Sequence, residues 1–347
     1  DRFVSQGRRI GPPGRMRPGA PARPAHAGHL ARWERLAFTL AFALMAVFVA
    51  VIAVSSEGLR RPVTLPAAPG RSASAPAAGR GGPQRVTAGG VASGRPGLSR
   101  ARRRAWDRAL ATALAPVLAQ HAGTVGVGVI DQTTGAVAVY GGGTRFVAAG
   151  AEKAAILASL LLDRAGAGSG GAGLDRSDER LAAQMTEASD HSAGTRLWDA
   201  AGQGAGLAAA GHLLGLRHTV PGPAENWGAT TTTVGDQLTL LSDLTTTRSP
   251  LSAAARSYEL GLLRAAAAGQ SWGVSAAASP GTSYAIQDGG LADGPANWAV
   301  SSIGVLEHGH QRLLLAVLAD GQPTKAAGIA LAQAAAAAAA DLVTAAR

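Results

Sequence analysis

Between residues 104 and 347 the chain reads helix, two strands, a helical insertion, three strands, helix, and few folds accept that order. Near the start, VGVGVID (Val125–Asp131), the turn Gln132-Thr133-Thr134-Gly135 and AVAVYG (Ala136–Gly141) predict a β-hairpin. Near the end, TSYAIQDGG, NWAVSSIGVLEH and RLLLAVLAD predict three strands at hairpin spacing. Leu110, Leu114 and Leu118 recur every four residues, which predicts a helix over Trp106–His121. Ala151–Asp163 is apolar and free of Pro and Gly, hence another helix. Residues 166–173 read as a loop, and 177–268 as helical segments including Asp178–Ser189, Ala193–Ala201 and Val234–Thr245. An Ala-rich helix from Lys325 to Arg347 closes the chain. The order predicts an α/β (α+β) domain: an antiparallel five-stranded sheet flanked by helices, plus an all-helical lobe.

Upstream the texture is different. Residues 1–35 are rich in Pro, Gly and Arg and predict a disordered basic tail. Leu36–Val54 is uncharged over its whole length, enough to span roughly 28 Å as a helix, close to a bilayer core. It predicts a transmembrane signal anchor. A cleaved signal peptide is the alternative, with Val51 and Ala53 as small residues before the cut, although the run is longer than the usual signal core; a buried globular helix is a third. Residues 55–103 are a Pro/Gly/Ala/Arg-rich linker, and 104–347 the folded domain. The short N-terminal tail favours a single-pass cell-membrane protein with its C-terminal domain extracytoplasmic, or a secreted domain after cleavage.

The formal net charge of +10 divides along the same boundary. Residues 1–104 hold 18 basic and 3 acidic residues, and 105–347 hold 14 and 19. A mildly acidic domain lacks the field needed to clamp a phosphate backbone, so nucleic acid is excluded as its partner. Arg100, Arg102, Arg103 and Arg104 read either as a contact for anionic lipid or as a solvated charge run. Cysteine is absent, which removes disulfides, thiolate metal sites and a cysteine nucleophile. Only two lysines occur, Lys153 and Lys325, beside 30 arginines.

Several local sequences, in order, carry a resemblance. Arg145-Phe146 precedes VAAGAEKAAILASLLL, and ASDHSAGTRLWD follows in the helical region. Then come GATTTTVGDQLTLL, WGVSAA (Trp272–Ala277), SSIGV (Ser301–Val305) and LADGQPTKAAGIA (Leu318–Ala330). Together with the element order, they resemble the penicillin-recognising serine hydrolases of the actinobacterial type, above all class A β-lactamases, over about residues 105–345. The resemblance implies a serine nucleophile at a helix start, a lysine one turn later, a Ser-Asp-Asn element and a Lys-Thr/Ser-Gly strand facing the substrate carboxylate.

Residue by residue, the chain departs from that pattern. The nucleophile position is Gly150, with Lys153 retained three residues on. Gln322 stands three residues before Lys325, so no Ser-x-x-Lys exists in any register. The second motif is Ser189-Asp190-His191. The third reads Gln287-Asp288-Gly289, an amide and a carboxylate expected to disfavour an anionic substrate. Glu225 does not sit in the local pattern of the family's deacylating glutamate. Lys153, Ser189 and Asp190 are the retained catalytic-motif positions, and His191, Gln287, Asp288 and Gly289 the candidate substrate-binding ones.

Each residue also has a plainer reading. Asp190 can cap a helix starting near Ser192. Lys153 is either a surviving functional cation or a relict hydrogen-bonded to Ser189 or a backbone carbonyl, and the functional reading of His191 is a new general base. Glu307, His308 and His310 suggest metal ligands but more simply form an exposed turn. Trp198, Trp227, Trp272 and Trp298 are core or pocket walls. No metal and no cofactor is implied. Three functions follow: a membrane-anchored extracytoplasmic pseudoenzyme binding a wall peptide, a lactam or a protein partner; an active serine hydrolase with another nucleophile, such as Ser189; or a stalked structural module. Gly150→Ser alone is expected to restore little activity, on the ground that Gln287-Asp288 still disfavours the carboxylate.

Overall fold

The computed structural model describes residues 100–165, 172–224, 226–265 and 271–345. These described residues all fall within one compact unit. The predicted tail, the span Leu36–Val54, Glu225 and nearly all of the linker lie outside the described residues.

Helix α1 runs Arg100–Leu118, four residues ahead of the expected domain boundary, so the arginine cluster at 100–104 is helical. Its Leu110 and Leu114 are the buried face that the four-residue spacing implied. Strands β1 (Thr124–Asp131) and β2 (Ala136–Tyr140) form the hairpin. A two-residue strand β3 (Phe146–Val147) then leads through a 3₁₀ turn, Ala149–Ala151, into α2 (Glu152–Asp163). The helical region holds α3 (Arg176–Glu187), α4 (His191–Ala200), α5 (Gln203–Leu214), α6 (Val234–Thr245) and α7 (Ala253–Arg264), with a second two-residue strand, β4 (Thr231–Thr232). Strands β5 (Ser283–Ala292), β6 (Trp298–His308) and β7 (Gln311–Gln322) and helix α8 (Lys325–Ala345) close the domain.

The five long strands form one antiparallel sheet in the order β2-β1-β7-β6-β5, so the last strand of the chain joins the first hairpin to the later strands. Strand β7 is central, and its pleat divides two cores. Leu314, Ala316 and Leu318 face the helical lobe, while Leu313, Leu315, Val317 and Ala319 face α1 and α8. Burial on both faces explains why β7 is a nearly unbroken apolar run. Residues 152–161 of α2 are all buried, as expected of a helix without a polar face inside a lobe. Truncating a core leucine such as Leu160 to Ala should cost about 2–5 kcal/mol. Helix α8 is long and apolar enough to cross a membrane, but Leu331, Ala335, Ala339 and Val343 pack it onto the sheet as a core helix.

β3 and β4 are too short for any periodicity, yet they position the site. Phe146 pairs with Thr232 and Val147 with Thr231. Around them the threonine run is used up in structure. Thr230 Oγ1 accepts from Gly222 N, Thr232 Oγ1 from Gln237 Nε2, and Thr233 Oγ1 caps α6 by accepting from Asp236 N. β5 forms one edge of the sheet, beside the entry to α2.

Candidate functional site

The turn entering α2 is held from several sides. Val147 N donates to Asp320 Oδ2 at 3.1 Å, Ala148 N to Thr230 O at 2.7 Å and Ala151 N to Ser301 Oγ at 3.0 Å. Ala149 is left at φ +46°, a left-handed value that a residue with a Cβ rarely adopts. These ties press Gly150 against β5. A Cβ on Gly150 would fall inside 3.0 Å of Gly289 Cα, Gly289 N and Asp288 O. Gly150, to which the resemblance assigns a nucleophile, therefore lacks a side chain and also the space for one.

One turn later, Lys153 is 4 % exposed, and its Nζ donates to Ser189 Oγ. Ser189 lies in the turn between α3 and α4 at φ +57°. Of the two partners the plainer reading of Lys153 allowed, Ser189 is the one it meets. Asp190 does not join them in the cleft. It is the N-cap of α4, its Oδ1 accepting from Ala193 N at 3.1 Å. His191, the first residue of α4, stacks on Trp227 with ring centroids 4.7 Å apart and 27° between planes.

A cleft of about 210 Å³ is lined by Ala149, Gly150, Lys153, Ser189, His191, Trp227, Gly228, Trp272, Gly289, Gly290, Leu291 and Lys325. Trp227 and Trp272 are walls here, while Trp198 lies in the lobe core with Nε1 donating to Ala224 O. Larger open hollows of about 580 and 570 Å³ lie at the β6–β7 turn and beside the start of α6, away from these motif residues.

The third motif needs correction. Gln287 and Asp288 are both buried, and neither lines the cleft. Successive strand residues point to opposite faces. Ile286 belongs to the α1/α8 core, and Asp288 shares its parity. The Asp288 carboxylate accepts from Trp272 N at 2.9 Å and from Ser302 Oγ at 2.6 Å. Gln287 is on the lobe face, where its Nε2 donates to Asp288 O at 3.3 Å. Of the three, Gly289 alone opens to the cleft. The expected repulsion of an anion by a cleft-facing Asp288 thus loses its geometric basis.

Lys325 is what the motif reading missed. It begins α8, yet it lines the cleft. Its Cε lies 3.4 Å from where a Cβ on Gly290 would sit, so its stem passes over a residue with no side chain. The signal was in the composition: a chain with two lysines and 30 arginines places both lysines in one cleft. Counting them excluded a Ser-x-x-Lys, but counting does not reveal that they meet.

Burial, together with the charge of Lys325, lowers the Lys153 ammonium to about 8, against the opposing pull of Asp288. Burial raises the Asp288 carboxyl to about 7, opposed by its bonds from Ser302 and Trp272 and by Lys153. The cleft is thus positive at neutral pH, with a compensating carboxyl behind its wall.

Elsewhere, Glu307 is held by Arg312 at 2.7 Å and Arg264 at 3.3 Å, so its carboxylate is already paired. Among the described residues no three His, Asp or Glu side chains converge as a metal site requires.

No protein-family model matches the chain, and no curated protein does. Solved structures do. A variant of the last common ancestor of Gram-negative bacteria class A β-lactamase is 23% identical, with TM-score 0.57 over 69% of this chain and 97% of that one. A β-lactamase from Burkholderia vietnamiensis is 19% identical, with TM-score 0.58 over 68% and 96%. A class A β-lactamase representative from Bacteroides cellulosilyticus DSM 14838 is 13% identical, with TM-score 0.58 over 69% and 98%. The domain therefore has a β-lactamase-like fold, built over the full length of those structures.

Proposed function

We propose that the domain is a non-acylating member of this fold that binds a small anionic ligand non-covalently in the Lys153–Lys325 cleft. The carboxylate end of a cell-wall peptide and a lactam are the ligands the family resemblance suggests, and a protein terminus fits the same chemistry. The observation that carries the reading is at position 150: no nucleophile, and no room for a Cβ against Gly289. Covalent acyl transfer from that position is lost, while two cations remain to pair with a carboxylate. With Leu36–Val54 as its anchor, the domain would stand on the outer side of a membrane. Sequencing the N-terminus of the mature protein tests the anchor, since a start near Val54 would mean cleavage and secretion.

The binding test is thermal shift with peptidoglycan fragments. A ligand selective for the folded state stabilises it by mass action, by about 2.7 kcal/mol at a hundredfold excess over Kd, and so raises Tm. No shift with any fragment favours a stalked structural module. A second reading keeps an enzyme: the Lys153–Ser189 hydrogen bond is what an activated serine would need. A fluorescent penicillin separates the two, because stable labelling lost in Ser189→Ala would establish Ser189 as a nucleophile.

A further inference from the structure

The two lysines pose a chemical question that anion binding leaves open. Arginine holds carboxylates at least as well, bidentately and always charged. This chain uses arginine for 30 of its 32 basic residues, and neither exception lies elsewhere. What lysine offers that arginine does not is a nitrogen that can lose its proton and attack carbon.

The surroundings suit that use. Lys153 is 4 % exposed, with Ser189 Oγ as its hydrogen-bond partner. Lys325 is exposed at the cleft and leans across Gly290. His191, Trp227 and Trp272 wall the cavity. Its volume, about 210 Å³, suits a ligand of a few heavy atoms.

We propose that Lys153 captures a small aldehyde- or keto-acid as a reversible imine, with Lys325 holding the carboxylate. The Lys153 ammonium first gives its proton to water, and the freed Nζ lone pair forms a bond to the carbonyl carbon while the C=O π pair moves to oxygen. Nitrogen gives up a proton and oxygen takes one, giving a carbinolamine, with the Ser189 hydroxyl placed to relay the proton. The carbinolamine hydroxyl takes the remaining N–H proton and leaves as one water, while the nitrogen lone pair closes the C=N bond. No oxidant or reductant takes part. Lys153 is favoured as the attacking amine because burial and the neighbouring Lys325 charge lower its ammonium to about 8. The inference rests on the cleft being an anion site.

The test is borohydride reduction of the full chain with glyoxylate, read by intact mass and peptide mapping. Two lysines and the N-terminal amine make the background small. A single reduced adduct on Lys153 is expected, absent in Lys153→Arg. Lys325→Ala should slow capture of both probes, because it removes a charge that lowers the Lys153 ammonium, and should slow glyoxylate roughly tenfold more than neutral glycolaldehyde, because only glyoxylate loses a partner for its carboxylate. No adduct, or one confined to Lys325 or the N-terminus, overturns the proposal, as does an equal effect of Lys325→Ala on both probes. Glyoxylate that raises Tm without an adduct overturns the imine but keeps the anion site. Neither a shift nor an adduct removes both.

Discussion

Gly150 and Gly289 pack backbone to backbone, so that a Cβ built on either would fall inside 3.0 Å of the other's Cα. Each glycine makes the other necessary. The ties from Asp320, Thr230 and Ser301 keep the turn from backing away.

Restoring a serine should therefore fail for steric reasons. Gly150→Ser should lose about 1–3 kcal/mol through overpacking and should not be labelled by a fluorescent penicillin. Gly289→Ala should be destabilised similarly. Denaturant melts check the first expectation, and ready acylation of Gly150→Ser would show that the turn yields.

Lys153 should cost stability and serve binding. Its folded value of about 8 lies below the ordinary 10.5, so the folded state binds fewer protons between those values. Wild-type stability should rise with pH across that window. In Lys153→Met the rise should vanish and stability at pH 7 should increase by about 1–2 kcal/mol, with ligand binding lost. Ser189→Ala should instead lose about 1–2 kcal/mol, since it strips the ammonium of its partner. Urea melts at several pH values read both.

Glu152 and Glu259 should make the domain sensitive to base. Both are fully buried, and their carboxyl oxygens have no hydrogen-bond partner among the described residues. Burial raises both well above the ordinary 4.5. Their contribution is complete below about pH 4.5 and is lost as pH rises towards the folded values, because the unfolded chain then releases protons that the fold retains. Glu259→Gln should flatten that decline and add about 1–3 kcal/mol at pH 7.5. A steeper decline in the variant would contradict it.

Asp190 should behave as a cap. Asp190→Ala should cost about 1 kcal/mol, while Asp190→Asn should be nearly neutral. Ligand-induced Tm shifts should be unchanged in both, and loss of binding in Asp190→Asn would mean the carboxylate acts in the cleft.

The sheet and most helices were legible because their signals are periodic. Alternation marked β1, β2 and the hairpin spacing of β5–β7, and unbroken apolar composition marked α2. Val234–Thr245 matches α6 at both ends. β3 and β4, two residues each, carry no period and exist because they pair with one another, with Thr231 also bridging Val220. The third motif was misread for a related reason. Which of Gln287, Asp288 and Gly289 faces the cleft depends on the parity of β5 against β6, and a one-residue difference in register exchanges the faces.

The amino-acid sequence by itself determined what is missing: no cysteine, no Ser-x-x-Lys, a glycine where a nucleophile is expected. Absence is a property of composition and needs no coordinates. Tertiary structure decided what is present. It brought Lys325 from the start of the last helix to the cleft of Lys153, took Asp288 out of that cleft, and closed Gly150 onto Gly289. Those outcomes depend on how β5, α2 and α8 pack, and packing between distant segments leaves no local pattern in the chain.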